Sequence, residues 1–196
     1  MPKKILLTSF ETWLPHQKSN SADDLLGEIA KIEGLSHCLT FLRRLPVDVE
    51  RASSRARAKI NELQPDIIIC CGMAESRTKL SVESNATCGD AIIKTPVDLE
   101  KLVAGLSGTE ISHDAGKFVC EGLYYSVLEY VRCGSLNCRS IFLHVPILTP
   151  NNLAEIVADF LLIIQNLERE LNLTPESLFL SPTNRGDCFF CIANGN

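Results

Sequence analysis

The sequence predicts an α/β fold with a mostly parallel sheet that helices cover on both faces. Two observations support this class. Apolar strand-like runs alternate with helix-like segments over most of the chain, and the strongest run, residues 66–71, is apolar at every position after Asp66. A continuous apolar run is typical of a strand that is buried on both faces. In such sheets ligands bind beyond the carboxyl ends of the strands, so a functional site is expected there.

Buried-type apolar runs indicate the strands at 4–10, 66–71 and 140–145, whereas the candidate strands at 39–45 and 80–85 include polar residues. The run at 66–71 is closed by Gly72 and is expected in the centre of the sheet, and the last strand ends at Pro146. Segment 88–108 contains Gly, Pro and Ser and is predicted to be a surface excursion.

Helical spacing of apolar residues identifies the other elements. Helices are predicted at residues 22–32, 49–63, 119–131 and 152–171. Ser21 is the predicted cap of the first helix, because its hydroxyl suits a helix start and two aspartates follow in the first turn. The second helix ends before Pro65, and Asn151 or Asn152 is the predicted cap of the fourth. Residues 172–196 show no clear periodicity, so one domain over 1–196 with an unassigned tail is expected.

Composition argues against several classes of function. With 45% hydrophobic and 22% charged residues among 196, the chain is expected to be globular. A net charge of −5 argues against nucleic-acid binding, which draws on dense Lys and Arg. The start of the chain lacks the features of a signal peptide, and no apolar run has the length of a membrane span. A cytoplasmic protein that binds neither nucleic acid nor membrane is therefore expected.

The cysteines are interpreted in the same way. Their number, nine, is odd, so at least one thiol stays unpaired, and a disulfide framework is not expected in a cytoplasmic chain. Cys188 and Cys191 form a C-x-x-C pair in the tail. A redox or metal site is one interpretation of this pair, but no second pair or nearby histidine accompanies it, so a zinc site lacks ligands.

Three residues stand where chemistry is expected. Cys120 falls in the first turn of its predicted helix, where free N–H groups and the helix dipole stabilise a thiolate or an oxyanion. His144 lies at the end of a buried strand, where a general base is expected in this fold class. Glu83 ends a shorter strand segment and is a candidate to orient the histidine. Taken singly, each also has a plain structural interpretation, respectively a small buried thiol, a core histidine and an exposed carboxylate.

Four blocks of the sequence resemble pyroglutamyl peptidase I, also called pyrrolidone-carboxylate peptidase, in content, order and spacing. Residues 4–11, KILLTSFE, are similar to its opening strand and T-G-F-[DE] loop. Residues 65–72, PDIIICCG, are similar to its P-D-I-[IV]-I-x-x-G strand, which is followed by the matching glutamate, Glu83. The most specific block, SHDAGKFVC at 112–120, resembles S-x-x-A-G-x-[FY]-[VL]-C, and FLHVP at 142–146 resembles F-[IL]-H-[IV]-P. The likeness covers roughly residues 3–168.

This resemblance implies a three-layer α/β/α sandwich of the phosphorylase/hydrolase type. It implies a cytoplasmic cysteine peptidase that removes an N-terminal pyroglutamyl residue from peptides through a thioester, without metal or organic cofactor. Cys120 would be the nucleophile, His144 its base and Glu83 the residue that orients the histidine. The partners would be small peptides with a blocked N-terminus, and the family suggests a homo-oligomer, a tetramer.

The resemblance also places the substrate-binding residues. It puts Phe10 and Trp13 on the walls of a pocket for the small, neutral lactam ring, with Asn20 near the ring. Aromatic walls and one or two hydrogen-bond partners suit such a ring better than charged groups do. Ordinary packing at a strand end and loop is the alternative interpretation of these three side chains.

The chain departs from the family pattern on the substrate side. The F-G-G loop is here Trp13-Leu14-Pro15, and Met73 replaces a glutamine near the substrate. Ile92 replaces an arginine that the family keeps near its active site. One alternative is therefore a homologue with altered acyl specificity or no turnover, acting as a binding protein. A second is an enzyme like the purine-nucleoside phosphorylases, which would need phosphate-binding positions and would leave the three candidate catalytic residues without a role.

Overall fold

Alternating strands and helices form the part of the chain that the computed structural model describes, residues 3–34, 38–134 and 136–172. The strands in these ranges are β1 (Ile5–Phe10), β2 (Leu39–Leu45), β3 (Ile67–Met73), β4 (Leu80–Glu83), β5 (Asn85–Cys88), β6 (Ala91–Lys94), β7 (Thr109–Ser112) and β8 (Arg139–Val145). The helices are α1 (Ser21–Ile29), α2 (Val49–Leu63), α3 (Leu99–Val103), α4 (Val119–Cys133) and α5 (Leu153–Asn172).

The central sheet has six strands in the order β2-β1-β3-β8-β4-β7. Strands β2, β1, β3 and β8 are parallel, and β4 is parallel to β7 but antiparallel to β8. The prediction of a mostly parallel sheet is confirmed. As predicted, the apolar run that became β3 lies inside the sheet, with all residues from Ile67 to Cys71 fully buried.

Helices cover both faces of this sheet, which gives three layers. On one face α1, α3 and α5 pack against alternate strand residues such as Ile67 and Ile69. On the other face α2 and α4 pack against Ile68 and Cys70. Each fully buried isoleucine stabilises the fold by about 1.5–3 kcal/mol relative to an exposed one. The second face matters for function, because α4 carries Cys120 over the sheet there.

The start of α1 differs from the prediction by one residue. Asn20, not Ser21, is the cap: its Oδ1 accepts a hydrogen bond from the Ala22 N–H at 3.0 Å. The Ser21 hydroxyl donates instead to the Val145 carbonyl at 3.1 Å, which ties α1 to the end of β8. The helix also ends earlier than predicted, at Ile29.

The predicted surface excursion at 88–108 contains regular structure. Strands β5 and β6 form an antiparallel hairpin in which Cys88 pairs with Ala91. The two residues between them, Gly89 and Asp90, make the turn, and Gly89 has φ +57°. A two-residue turn with glycine first is a favoured hairpin connection. The short helix α3 follows, with Asp98 as its cap.

Cysteine pairing departs from expectation at two positions. Cys88 and Cys133 each take part in a disulfide bond, so the expectation of reduced thiols is wrong for each of them. The other described cysteines are free thiols: Cys38, Cys70, Cys71, Cys120 and Cys138. The C-x-x-C pair of the tail lies outside the described residues. Within the described ranges, no helix is long and apolar enough to cross a membrane.

Candidate active site

Cys120 occupies the first turn of α4, as the sequence predicts. The loop before the helix turns at Gly116, which has φ +90°, a conformation that glycine adopts without strain. Phe118 precedes the helix, and its carbonyl accepts the first helical hydrogen bond, from the Gly122 N–H at 3.1 Å. The N–H groups of the turn before Gly122 therefore have no acceptor within the helix. They are available to an anion beside the sulfur of Cys120.

The sulfur of Cys120 rests on the backbone of β3 at Gly72. A Cβ atom added to Gly72 would lie 2.6 Å from Cys120 Sγ and 2.9 Å from Phe142 Cζ. Gly72 is the register partner of His144 in β8. The absence of a side chain at Gly72 thus lets the thiol approach the sheet beside His144.

We expect Gly72→Ala to impair the site strongly. The added methyl group overlaps Cys120 Sγ, and overpacking of this kind typically costs about 1–3 kcal/mol of stability. Thermal unfolding and the rate of Cys120 alkylation by iodoacetamide would measure the two effects. Gly27→Ala in α1 is the matched control, because a Cβ there comes no closer than 3.4 Å to Arg43 and alanine favours helices. Unchanged Cys120 alkylation in the Gly72 variant would contradict this interpretation.

His144 and Glu83 form a buried hydrogen-bonded pair. The distance from His144 Nδ1 to Glu83 Oε1 is 2.6 Å, and Glu83 is fully buried. Antiparallel pairing puts Ser81 opposite His144 and Glu83 opposite Phe142, so Glu83 lies one diagonal step from the histidine on the same face. Because an ionised carboxylate only accepts hydrogen bonds, Nδ1 carries the proton and Nε2 is the proton acceptor.

The electrostatic surroundings of Cys120 favour its protonated form. Burial raises the pKa of the Cys120 thiol to about 12, and the negative charge of Glu83 contributes in the same direction. The positive charge of Arg77 lowers this pKa and partly opposes both effects. A thiol is a weak nucleophile, so the group needs a neighbouring base to react near neutral pH.

One pocket brings the predicted residues together. It has a volume of about 170 Å³, and its walls include Cys120 and His144 together with Phe10, Trp13 and Asn20. Glu83 does not line the pocket and lies behind His144. The three candidate catalytic residues and the three candidate substrate-binding residues therefore belong to one region at the ends of β1, β3 and β8.

Two exposed aromatic side chains belong to this pocket. The ring centroids of Trp13 and Phe118 are 4.8 Å apart, and each residue is 52% exposed. They come from different loops, after β1 and before α4. A tilted pair at this distance is a favourable aromatic contact, so the two loops meet at the pocket through their aromatic rings.

The positions that depart from the family pattern have different surroundings. Met73 lines the pocket, and its sulfur lies 3.4 Å from the Ser21 N–H. Ile92 is 62% exposed on β6 and does not line the pocket. The amide of Asn20 already makes two hydrogen bonds, to the Ala22 N–H and to the Glu11 carbonyl. Asn20 thus fixes the wall of the pocket by its local contacts.

Arg77 is a site residue to which the sequence analysis assigned no role. Its Nη1 lies 2.8 Å from Glu83 Oε1, the same oxygen that His144 approaches. In the sequence, Arg77 ends the segment GMAESR at 72–77, which resembles the family's G-Q-A-G-G-R, and it stands six residues before Glu83. That spacing alone does not show that the two side chains meet.

Comparisons with known proteins show what the chain is similar to. No family model matches the chain. The pyrrolidone-carboxylate peptidase of Brevibacillus brevis is 28% identical, with 74% of this chain and 79% of that protein covered. Pyrrolidone-carboxylate peptidase 2 of Caldanaerobacter subterraneus is also 28% identical, with 74% and 82% covered.

Solved structures show the same fold. The pyrrolidone carboxyl peptidase of Thermococcus litoralis has a TM-score of 0.75 at 20% identity, covering 87% of this chain and 95% of that one. Pyroglutamyl peptidase I of Bacillus amyloliquefaciens has a TM-score of 0.73 at 21% identity, with 85% and 95% covered.

The sheet and the site together define a class, three-layer α/β/α proteins that hold a thiol, an imidazole and a carboxylate at one end of a mostly parallel sheet. Within that class, this chain is similar in sequence to the pyrrolidone-carboxylate peptidases and has the fold of the solved pyroglutamyl peptidase I and pyrrolidone carboxyl peptidase structures.

Proposed function

We propose that the chain is a cysteine peptidase that hydrolyses the N-terminal pyroglutamyl residue from peptides through a thioester. One observation carries the proposal: Cys120 and His144 line the same pocket while Glu83 holds His144 Nδ1 from behind. A nucleophile, its base and a group that orients the base are the parts that acyl transfer requires. The names of the relatives point to the pyroglutamyl group as the acyl part.

The first half of the reaction forms the thioester. His144 Nε2 removes the proton from Cys120 as the sulfur attacks the pyroglutamyl carbonyl carbon. Burial raises the pKa of the Cys120 thiol to about 12, so deprotonation belongs to the attack and does not precede it. The carbonyl oxygen becomes an oxyanion that the first-turn N–H groups of α4 hold. The carbon–nitrogen bond then breaks, and His144 gives its proton to the departing amine.

The second half releases the acid. Water attacks the thioester carbonyl while His144 Nε2 takes a proton from the water. The carbon–sulfur bond then breaks, the proton returns to Cys120, and pyroglutamate leaves. Glu83 stabilises the positively charged imidazole in both halves without receiving the proton.

The walls of the pocket favour a neutral ring. Phe10, Trp13, Phe118 and Met73 present aromatic and thioether surfaces, while the charged residues of the lining, Glu11 and Lys117, are exposed to solvent. A lactam has no charge, so it loses little on entering such surroundings, whereas a charged amino group there would lose its hydration. This difference is the physical basis that we propose for the choice of a pyroglutamyl residue over a free N-terminus.

A second hollow adjoins the pocket. This polar hollow of about 310 Å³ shares Phe10, Glu11 and Asn20 with the pocket, and it gives room for the peptide beyond the ring. The substrates would be small peptides with a blocked N-terminus.

We expect one domain over residues 1–196, a cytoplasmic location and, by analogy with the family, a tetramer.

A substrate panel tests the proposal. The purified protein is incubated, with reducing agent, with pyroglutamyl, prolyl and acetyl-alanyl chromogenic amides. The prolyl compound has the same ring size but a charged nitrogen, so it isolates the effect of the neutral lactam. We expect hydrolysis of the pyroglutamyl amide alone. Hydrolysis of another amide would correct the acyl specificity, and no hydrolysis of any would favour a binding protein that kept the fold.

A further inference from the structure

Arg77 shares the carboxylate that orients His144. Its Nη1 lies 2.8 Å from Glu83 Oε1, and His144 Nδ1 lies 2.6 Å from the same oxygen. Glu83 is fully buried, and the Arg77 side chain is only 21% exposed. The contact between these two charged groups is therefore shielded from water. Two charges in such a buried setting interact more strongly than they do at the surface.

A second contact of Arg77 reaches the loop that leads to the nucleophile. Its Nη2 donates to the Asp114 carbonyl at 2.8 Å. The Asp114 carboxylate in turn accepts from the Gly116 N–H at 2.9 Å. Four residues further along, the chain reaches Cys120. One guanidinium thus joins the carboxylate behind the base to the loop that precedes the sulfur.

The buried carboxylate has few other partners. Glu83 Oε2 has no hydrogen-bond partner within the described residues, so Oε1 makes both side-chain contacts. A buried anion is costly unless a positive charge or several donors compensate it. While His144 is neutral, Arg77 is the charged partner in contact with Glu83. Its charge therefore offsets the cost of keeping this carboxylate ionised between turnovers.

We propose that Arg77 is a positioning residue of the proposed peptidase, which holds Glu83 charged and in register with His144 and fixes the Asp114 loop relative to it. The inference rests on the proposed function, and it adds a fourth side chain to the three that the sequence indicates. The effect of Arg77 on Cys120 agrees with this role, because the arginine lowers the pKa of that thiol whereas Glu83 raises it.

Three variants separate the charge of Arg77 from simple packing. Arg77→Ala removes both contacts, Arg77→Lys keeps the charge without the two-pronged geometry, and Lys79→Met removes an exposed cation two residues away as the control. We expect Arg77→Ala to lower kcat roughly 10- to 100-fold with KM little changed, because a charge-assisted hydrogen bond is lost but no substrate contact is. Arg77→Lys should keep part of the kcat that Arg77→Ala loses, and guanidinium ion added to Arg77→Ala should restore part of it. Lys79→Met should have the same kcat as the wild type.

Alkylation of Cys120 by iodoacetamide provides a readout that needs no peptide substrate. We expect Arg77→Ala to slow this reaction, since the charge that lowers the pKa of the thiol is gone. An Arg77→Ala variant with wild-type kcat, or one that neither lysine nor guanidinium restores, would overturn the inference. If the wild type hydrolyses no pyroglutamyl amide but alkylation still responds to Arg77, the proposed substrate fails while the role of Arg77 is supported.

Discussion

Cys120→Ser is expected to lower kcat for the pyroglutamyl amide by roughly 10⁴-fold or more, as loss of a catalytic nucleophile typically does. A serine hydroxyl is far less acidic than a thiol, and the site already disfavours an anion at this position by burial and by the charge of Glu83. His144 would then face a proton that it cannot remove at a useful rate. Initial rates over a range of substrate concentrations measure the effect.

A second cysteine provides the control for this substitution. Cys38 is a partly exposed free thiol outside the pocket, so Cys38→Ser should keep full activity. Peptide mapping after iodoacetamide treatment should show whether hydrolysis is lost in step with modification of Cys120. If Cys120→Ser and the wild type hydrolyse every amide of the panel at the same rate, the proposed mechanism is wrong.

His144→Asn is expected to reduce kcat roughly 10²- to 10⁴-fold, the usual contribution of a general base. The asparagine amide nitrogen takes approximately the place of Nδ1, so it can still donate to Glu83 and keep the buried carboxylate paired. What disappears is Nε2, the atom that accepts the proton of the thiol. Stability should change much less than activity, and thermal unfolding measured beside initial rates checks this.

His113→Asn is the matched substitution elsewhere in the chain. His113 is exposed, and its Nδ1 lies 2.7 Å from Ser84 Oγ, so it also makes one side-chain contact through the nitrogen that asparagine imitates. We expect this variant to retain activity. Equal losses in the two variants would show that the effect comes from general damage and not from the chemistry of His144.

Much of the fold was predictable because local patterns determine it. The run at 66–71 became β3, and helical spacing of apolar residues placed α2 before Gln64-Pro65 and α4 within two residues of its observed end. The ends of parallel strands also predicted where His144 would lie. These conclusions need only the apolar periodicity of a segment and the general rule about ligand sites in such sheets.

The position of Glu83 could not be derived in this way. Its strand, β4, runs antiparallel to β8, and nothing in its four residues indicates direction. This reversal places the carboxylate behind His144, away from the pocket. The contact of Arg77 with Glu83 depends on the same long-range arrangement. Resemblance to a known family supplied the glutamate, but residue spacing did not supply the arginine.

Two local details were decided by contacts distant in sequence. Asn20 and Ser21 are both good helix caps, and the choice falls on Asn20 because the Ser21 hydroxyl bonds to Val145 instead. The β5–β6 hairpin did carry a signal, the pair Gly89-Asp90 between two short runs. The glycines, prolines and serines of that segment equally favour a loop, which is why the sequence predicts a surface excursion there.

The raised pKa of Cys120 has a consequence for the lifetime of the enzyme. Peroxides attack thiolates and react slowly with thiols, and the first product, a sulfenic acid, ends catalysis until it is reduced. A sulfur that holds its proton until a peptide arrives spends most of its time in the form that resists such damage. On the proposed mechanism, the same burial that makes a base at His144 necessary would also protect the Cys120 sulfur while no peptide is bound.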